Sequence, residues 1–340
     1  MNKKKQTGTN SAQIADLSNE NLQESEKGNT FAESTDDNDI AGNGLYVSPM
    51  VDYGFKRIFE EEDILREFLN DLLNPPSRIK KVIYMSKSMT PPNKNERRAE
   101  YDLRCKTEDG KELIIEMQNA EQEYFTDRIV YYISKAIAPQ ANKGEKSKKK
   151  NGDSVPWNYE IHPVYGIFFI NFQLANLKSQ VIRTAMYRIA ETGEILNDKT
   201  RIYIIELPCF KGKTEADSKT RMDKWVYNLL NMKDMTTPLA FQDEMPVFKR
   251  LDDVAKIANM TPEEYQDYID DLDRQRTKYA QMEWAKKKAR MEGEAIGETK
   301  GYAKANRDHA IAFKKAGASL EMIATALNIS IEEVEALTTE

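Results

Sequence analysis

The sequence predicts an α/β protein with a mixed central sheet flanked by helices, followed by a helical C-terminal region. Three observations support this. The runs "HPVYGIFFINFQL" and "TRIYIIELPCF" are short, β-branched and aromatic, which is typical of buried strands. Segments with apolar residues at helical spacing precede these runs. Beyond Pro208 the strand-like runs end, and the remaining chain has helical patterning.

Composition divides the 340 residues into four regions. Residues 1–44 hold four lysines, eight acidic residues and few large apolar ones, which predicts a disordered acidic tail. Residues 45–215 carry the strand-like runs and form the predicted α/β domain. A helical region is predicted over 216–305, and a small tail of two short helices over 306–340.

Within the α/β domain, helical spacing in "DILREFLNDLLNPPSRI" predicts a helix that Pro75 and Pro76 end. "FTDRIVYYISKAIAPQ" predicts a second helix, ended by Pro139. "SQVIRTAMYRIAETGEIL" is compatible with either a strand or a helix. The lysine-rich "KGEKSKKKNGDS" predicts a mobile loop, with a contact to a phosphate backbone and a simple solvated loop as the two alternatives.

The C-terminal regions have their own start and stop signals. Thr261 and Pro262 are typical of a helix N-terminus, with Thr as the cap and Pro at the first position. The stretch 280–304 is mostly charged residues and Ala, which predicts an exposed or partner-seeking helix. Two short helices follow around Asn328, with Ser330 as a cap. These C-terminal helices are where we expect a homo-oligomer to form.

Composition also argues against several functional classes. The net charge of -6 argues against a strongly basic nucleic-acid footprint over the whole chain. Cys105 and Cys209 give neither a disulfide framework nor zinc-finger spacing, which favours a reducing, cytoplasmic setting. No secretory signal and no run long enough to span a membrane are predicted. With only two histidines, His162 and His309, chemistry is expected to depend on carboxylates.

The segment "GKELIIEMQNA" has two polar residues, Glu116 and Gln118, inside a run that is otherwise typical of a buried strand. Side chains alternate along a strand, so Leu113, Ile115 and Met117 share one apolar face. Glu116 and Gln118 then share the other face. Charged side chains are almost never buried without a partner, so a carboxylate in a core-like strand requires an explanation.

The preceding residues predict where that partner lies. "YDLRCKTEDGKELIIEMQ" reads as a hairpin with a three-residue loop, in which Gly110 takes the left-handed position. If Thr107 pairs with Lys111, Asp102 lies directly opposite Glu116. A two-residue loop would instead set Asp102 opposite Met117, on the other face.

Two carboxylates on neighbouring strands repel unless a positive charge lies between them. Mg²⁺ or Mn²⁺, which prefers oxygen ligands, would fit between Asp102 and Glu116. The alternative is that Glu116 pairs with Arg104 or Lys106 on a solvated face of the sheet.

The stretch from Val51 to Phe210 resembles the PD-(D/E)XK nuclease superfamily, specifically the bacterial recombination-promoting nuclease and putative transposase family. The resemblance rests on "DYGFKRIF", "FLNDLL", "YDLRCKTEDGKELIIEMQ", "DRIVYYISKAI", "HPVYGIFFINF" and "IYIIELPCF", in this order. It implies a restriction-endonuclease-like fold for residues 45–215. The tail over 306–340 is similar to the helix-turn-helix-like tail of the family.

The resemblance implies that Asp102 and Glu116 are the metal-binding carboxylates of a catalytic site. Gln118 occupies the place where many relatives in the wider superfamily carry Lys, and it would orient the attacking water. Gln at this position is usual for the family, although it removes a positive charge.

Lys56, Arg128 and Lys135 are the candidates to supply that charge as phosphate contacts. Arg128 and Lys135 are seven residues apart and share one helical face. A solvated face is the alternative for this pair, and an ordinary ion pair with Asp52 is the alternative for Lys56. In the superfamily that the chain resembles, an acid from an early helix sometimes joins the metal site, and the resemblance makes Asp52 and Glu67 the candidates for this role.

Together with the carboxylate pair, the resemblance implies a Mg²⁺-dependent (or Mn²⁺-dependent) DNA endonuclease of recombination or transposon biology. The alternative is a catalytically inactive nuclease-fold protein that binds nucleic acid or a protein partner. An RNA substrate remains open.

Overall fold

The computed structural model describes residues 42–89, 99–144, 159–175, 177–212 and 214–339. Most of the predicted acidic tail, residues 1–41, lies outside the described residues. The same holds for the lysine-rich insertion beyond Gly144, so the two alternatives for it, a contact with a phosphate backbone and a simple solvated loop, stay predictions.

The strands of the described residues lie between residues 82 and 206. Their bounds are β1 Val82–Tyr84, β2 Ser88–Met89, β3 Ala99–Glu100, β4 Leu103–Thr107, β5 Glu112–Gln118, β6 Val164–Ile170, β7 Ile182–Arg188 and β8 Ile195–Glu206. Within the described residues, six of them form one mixed sheet in the order β1-β4-β5-β6-β8-β7. The β5–β6 and β6–β8 pairs are parallel, whereas the other neighbours are antiparallel. β2 and β3 form a separate antiparallel ribbon.

Helices flank the sheet, and further helices follow it along the chain. Their bounds are α1 Asp52–Phe59, α2 Glu62–Leu73, α3 Phe125–Ile137, α4 Pro139–Gly144, α5 Arg221–Asn231, α6 Pro246–Ala255, α7 Pro262–Lys315, α8 Leu320–Leu327 and α9 Ile331–Thr338. Pro139 separates α3 from α4 and is the first residue of the second helix, where its missing N–H costs no hydrogen bond. The mixed sheet with flanking helices and a helical C-terminal region confirms the predicted restriction-endonuclease-like fold.

The larger core lies on one face of the sheet. Phe59, Phe68 and Phe169 pack with ring centroids 5.3–5.4 Å apart, and Trp225 of α5 packs edge-on to Phe68 at 5.4 Å. Phe248 of α6 adds a further ring, 4.8 Å from Trp225. The helices after the sheet therefore share the core that the first helices make with the sheet.

The opposite face of the sheet packs against α3. Ile114 of β5 and Val164 of β6 contact Ile133 and Ala136 of this helix, and all four side chains are buried. Glu116 is two residues after Ile114, so it also faces α3. This packing sets the first turns of α3 beside the end of β5.

The ambiguous segment after β6 forms a strand. β7 pairs antiparallel with β8 along the edge of the sheet, and Gly193 in the turn between them has a φ of 74°. This left-handed conformation is one that glycine adopts without steric cost.

The chain divides into two compact units, with the boundary between Leu272 and Asp273 inside α7. This division by contacts differs from the division by composition, which sets boundaries after residues 215 and 305. The second unit has a small core of its own, in which Ala310, Ile323 and Val334 are buried. Among the described helices, none is both long enough and apolar enough to cross a membrane.

Candidate active site

The hairpin of β4 and β5 has the register expected from its turn. The Thr107 N–H donates to the Lys111 carbonyl at 2.9 Å, and Gly110 has a φ of 89°. Leu103 is the partner of Ile115. Continuing this register by one residue sets Asp102 opposite Glu116.

The two carboxylates lie side by side at the end of the hairpin. The Asp102 N–H donates to Glu116 Oε1 at 3.1 Å, and the Met117 N–H donates to Asp102 Oδ2 at 2.8 Å. Only 1% of the Glu116 surface is exposed. The two side chains therefore share one side of the sheet in a site with little access to water.

Burial is the main electrostatic influence on this pair. Burial and, after it, the charge of Asp102 raise the pKa of Glu116 to about 8, although Arg128 and two hydrogen bonds act to lower it. Burial also raises the pKa of Asp102, to about 6. Both shifts have the sign expected for carboxylates that lack sufficient compensating positive charge.

Gln118 and Arg128 complete the cluster. Gln118 Nε2 donates to Glu116 Oε2 at 3.3 Å, and Arg128 Nη1 donates to Gln118 Oε1 at 3.3 Å. Arg128 Nη2 also lies 3.6 Å from Glu116 Oε2. The amide thus connects the buried carboxylate to the guanidinium.

Further side chains around the site hold Arg128 in place. Gln122 accepts from its Nη1 at 3.0 Å, and the Tyr132 hydroxyl accepts from its Nη2 at 3.0 Å. The guanidinium carbon lies 4.9 Å from the centroid of the Tyr132 ring. Buried Tyr101 in turn donates to the Tyr132 carbonyl at 3.0 Å. The i,i+4 spacing of Arg128 and Tyr132 is a sequence signal for the contact between these two side chains. No local pattern indicated the contributions of Gln122 and Tyr101.

The other predicted cations occupy different environments. Lys56 ion-pairs with Asp52 at 2.5 Å, as its spacing predicted, and the charges of both residues act on the pKa of Asp102. The Lys135 ammonium lies 5.4 Å from the centroid of the Tyr131 ring. Phosphate contacts by Lys56, Arg128 and Lys135 remain predictions.

The structure also bears on the alternatives for the carboxylates. Arg104 ion-pairs with Glu112 at 2.6 Å instead of with Glu116. Of the two early-helix acids, Asp52 raises the pKa of Asp102 by its charge, whereas Glu67 accepts from Arg78 at 2.7 Å. Asp52 is therefore the better placed of the two to join Asp102.

The donor set at the pair fits a hard divalent cation. The described residues contain no group of three or more His, Cys, Asp or Glu side chains arranged to hold a metal. Asp102 and Glu116 supply two carboxylates, and Mg²⁺ is commonly held by one or two carboxylates together with waters and substrate phosphates. Two buried anions with raised pKa values would be stabilised by such a charge.

Comparison with protein families agrees with this arrangement. The family model described as PD-(D/E)XK nuclease family transposase matches residues 49–285. The chain belongs to this family. A search of curated proteins and a search of solved structures each gave no match.

As a PD-(D/E)XK nuclease family transposase, the chain has a nuclease or transposase-related function. Nucleases of this type generally use divalent metals, and the family indicates DNA as the substrate. The matched segment includes the hairpin with Asp102 and Glu116, and α3 with Arg128.

Proposed function

We propose that the chain is a Mg²⁺-dependent (or Mn²⁺-dependent) DNA endonuclease that hydrolyses phosphodiester bonds in recombination or transposon-related processes. The observation that carries this proposal is the pair of side-by-side carboxylates, in which buried Glu116 accepts from the Asp102 N–H and Asp102 accepts from the Met117 N–H. A cytoplasmic location belongs to the same proposal and is supported by the free thiols of Cys105 and Cys209.

In this proposal Asp102 and Glu116 hold the metal. A divalent cation bound there would supply Lewis-acid polarisation of the phosphate and a lowered pKa for the attacking water. The backbone N–H groups of Asp102 and Met117 hold the two carboxylates in place before substrate arrives. Gln118, with one donor group and one acceptor group, orients the water by hydrogen bonding.

Arg128 is the group that we propose compensates for the missing lysine. A guanidinium presents several N–H donors in a fixed plane, which suits the oxygens of a phosphate. Arg128 contacts Gln118 and Glu116 from α3, and its side chain is about one-third exposed, so one side remains open to substrate. Lys56 and Lys135 are proposed as further phosphate contacts.

The direct test is nicking of supercoiled plasmid by the purified full-length chain. We expect relaxed circles with Mg²⁺ or Mn²⁺ and none with EDTA. Absence of nicking with either metal would favour the second candidate, an inactive nuclease-fold protein that binds nucleic acid or a partner. Gln118 in place of Lys is the observation that favours that candidate.

Replacing Arg128 by Ala is expected to lower the nicking rate at saturating plasmid by about 10- to 100-fold, because a phosphate-stabilising charge is lost. Arg128→Lys should recover part of the rate, since it restores charge without the planar donors. Arg78→Ala removes an exposed arginine that pairs with Glu67 and is the charge-matched control. If Arg128→Ala nicked plasmid at a rate within twofold of the wild type, the proposed phosphate contact would be wrong, and Arg128 would only neutralise Glu116.

A further inference from the structure

The long helix α7 carries a surface that its own unit does not cover. Every residue from 284 to 305 is exposed. The exposed residues include large apolar side chains, with Trp284 64%, Met291 58% and Tyr302 71% exposed. Helices in globular proteins take most of their stability from packing an apolar face, so an uncovered helix of this length indicates a missing partner.

Trp284, Met291 and Tyr302 lie on one line along the helix, whereas exposed Ile296 lies off it. Steps of three and four residues connect ten exposed positions, which we call the α7 seam: Thr277, Gln281, Trp284, Lys288, Met291, Ala295, Glu298, Tyr302, Ala305 and His309. Alternation of three and four over five repeats is the spacing of the core positions of a coiled coil. At a rise of about 1.5 Å per residue, the seam extends over roughly 50 Å.

The α7 seam is complementary to the α7 seam of a second copy that runs in the opposite direction. Consider an antiparallel pair of copies related by a two-fold axis beside residue 293. Each residue then faces a residue of the second copy such that the two residue numbers add up to 586. Trp284 then faces Tyr302, and Met291 faces Ala295, so that large apolar groups meet other apolar groups. Thr277 faces His309 and Gln281 faces Ala305 in the same register.

The two charged residues of the seam select this register. Lys288 faces Glu298 of the second copy, and Glu298 faces Lys288, so both charges are paired. In a parallel, in-register pair each would face its own copy, and like charges at core positions repel. Shifting the antiparallel register by one heptad sets Lys288 opposite an apolar residue, either Met291 or Ala305. Charged pairs of this kind fix register and orientation in coiled coils.

We propose that the α7 seam pairs antiparallel with the same segment of a second copy of this chain, with Lys288 against Glu298 across the interface. Within one helix Lys288 is 3.9 Å from Glu292, a loose contact between exposed side chains that leaves the ammonium free to turn. The interface is a property of the second unit and does not depend on the proposed nuclease activity.

The test is sedimentation velocity of the full-length chain over a range of concentrations, with circular dichroism to check helix content. We expect a concentration-dependent dimer in the wild type. Lys288→Glu and Glu298→Lys should each weaken the dimer by tenfold or more, and the double variant should return close to wild-type affinity. In a parallel dimer the double variant gives no such recovery.

Two matched controls separate the seam from the rest of the helix. Lys286→Glu reverses a charge on the side of the helix away from the seam, and it should leave the dimer unchanged. Met291→Ala should weaken the dimer, whereas Ile296→Ala, at a similar exposure of 55%, should not. The proposal is overturned by a wild type that stays monomeric, by a dimer that the seam variants leave unchanged, or by a double variant as weak as the single ones.

Discussion

The variant Asp102→Asn is expected to lose metal-dependent nicking by about 100-fold or more. Substituting groups that only orient a metal ligand typically costs 10- to 100-fold, and Asp102 is proposed as a ligand itself. Asparagine keeps an oxygen that can accept the Met117 N–H, which the aspartate accepts at 2.8 Å. The fold of the hairpin is therefore expected to survive while the anionic ligand is lost.

The chain offers a control for this substitution within the same hairpin. Asp109 lies in the turn, where its exposed side chain pairs with Lys111, so Asp109→Asn makes the same chemical change away from the site. Nicking by Asp109→Asn should equal that of the wild type. If Asp102→Asn kept activity within a few-fold of the wild type under Mg²⁺ and Mn²⁺, the assignment of Asp102 as a ligand would be wrong.

The carboxylate pair could be located from the sequence because the information is local. The turn chemistry of Glu108, Asp109 and Gly110 fixes the register, and the register decides which face Asp102 shares. Only 14 residues separate Asp102 from Glu116. Nothing beyond strand alternation and one left-handed glycine was needed for this part of the site.

The rest of the site depends on how α3 packs against the sheet. Arg128 reaches Gln118 and Glu116 because Ile133 packs on Ile114, a contact between a helix and a strand that no local pattern specifies. The position of Lys56 is a similar case, since spacing alone indicates only its pairing with Asp52. The apolar periodicity correctly predicted that α5 and α6 are helices. It did not predict that they pack in the same core as the sheet.

Without divalent metal, the stability of the first unit is expected to fall as the pH rises from about 5 to about 8. In the unfolded chain Glu116 loses its proton near the ordinary glutamate pKa of 4.5, whereas in the folded chain its pKa is about 8. Between these values the folded state binds more protons, so raising the pH favours unfolding. Asp102, with its raised pKa, contributes in the same direction over a lower range.

The expected change is on the order of a few kcal/mol, because each unit of pKa difference corresponds to about 1.4 kcal/mol. Urea unfolding at several pH values with EDTA measures it. Glu116→Gln removes the titrating group and should be less sensitive to pH, so that it becomes more stable than wild type at pH 8. Glu123→Gln, at an exposed position after β5, is the matched control.

The same protons connect the pH to metal binding. A cation that binds Asp102 and Glu116 must displace any proton held there, so its apparent affinity should rise with pH. Added Mn²⁺ should therefore stabilise the wild type more at pH 8 than at pH 6, and it should reduce the fall in stability between them. Glu116→Gln should gain little from Mn²⁺ at either pH. Equal stabilisation of wild type and Glu116→Gln by Mn²⁺ would mean that the cation binds elsewhere, because a neutral amide cannot replace the anionic oxygen that this site requires.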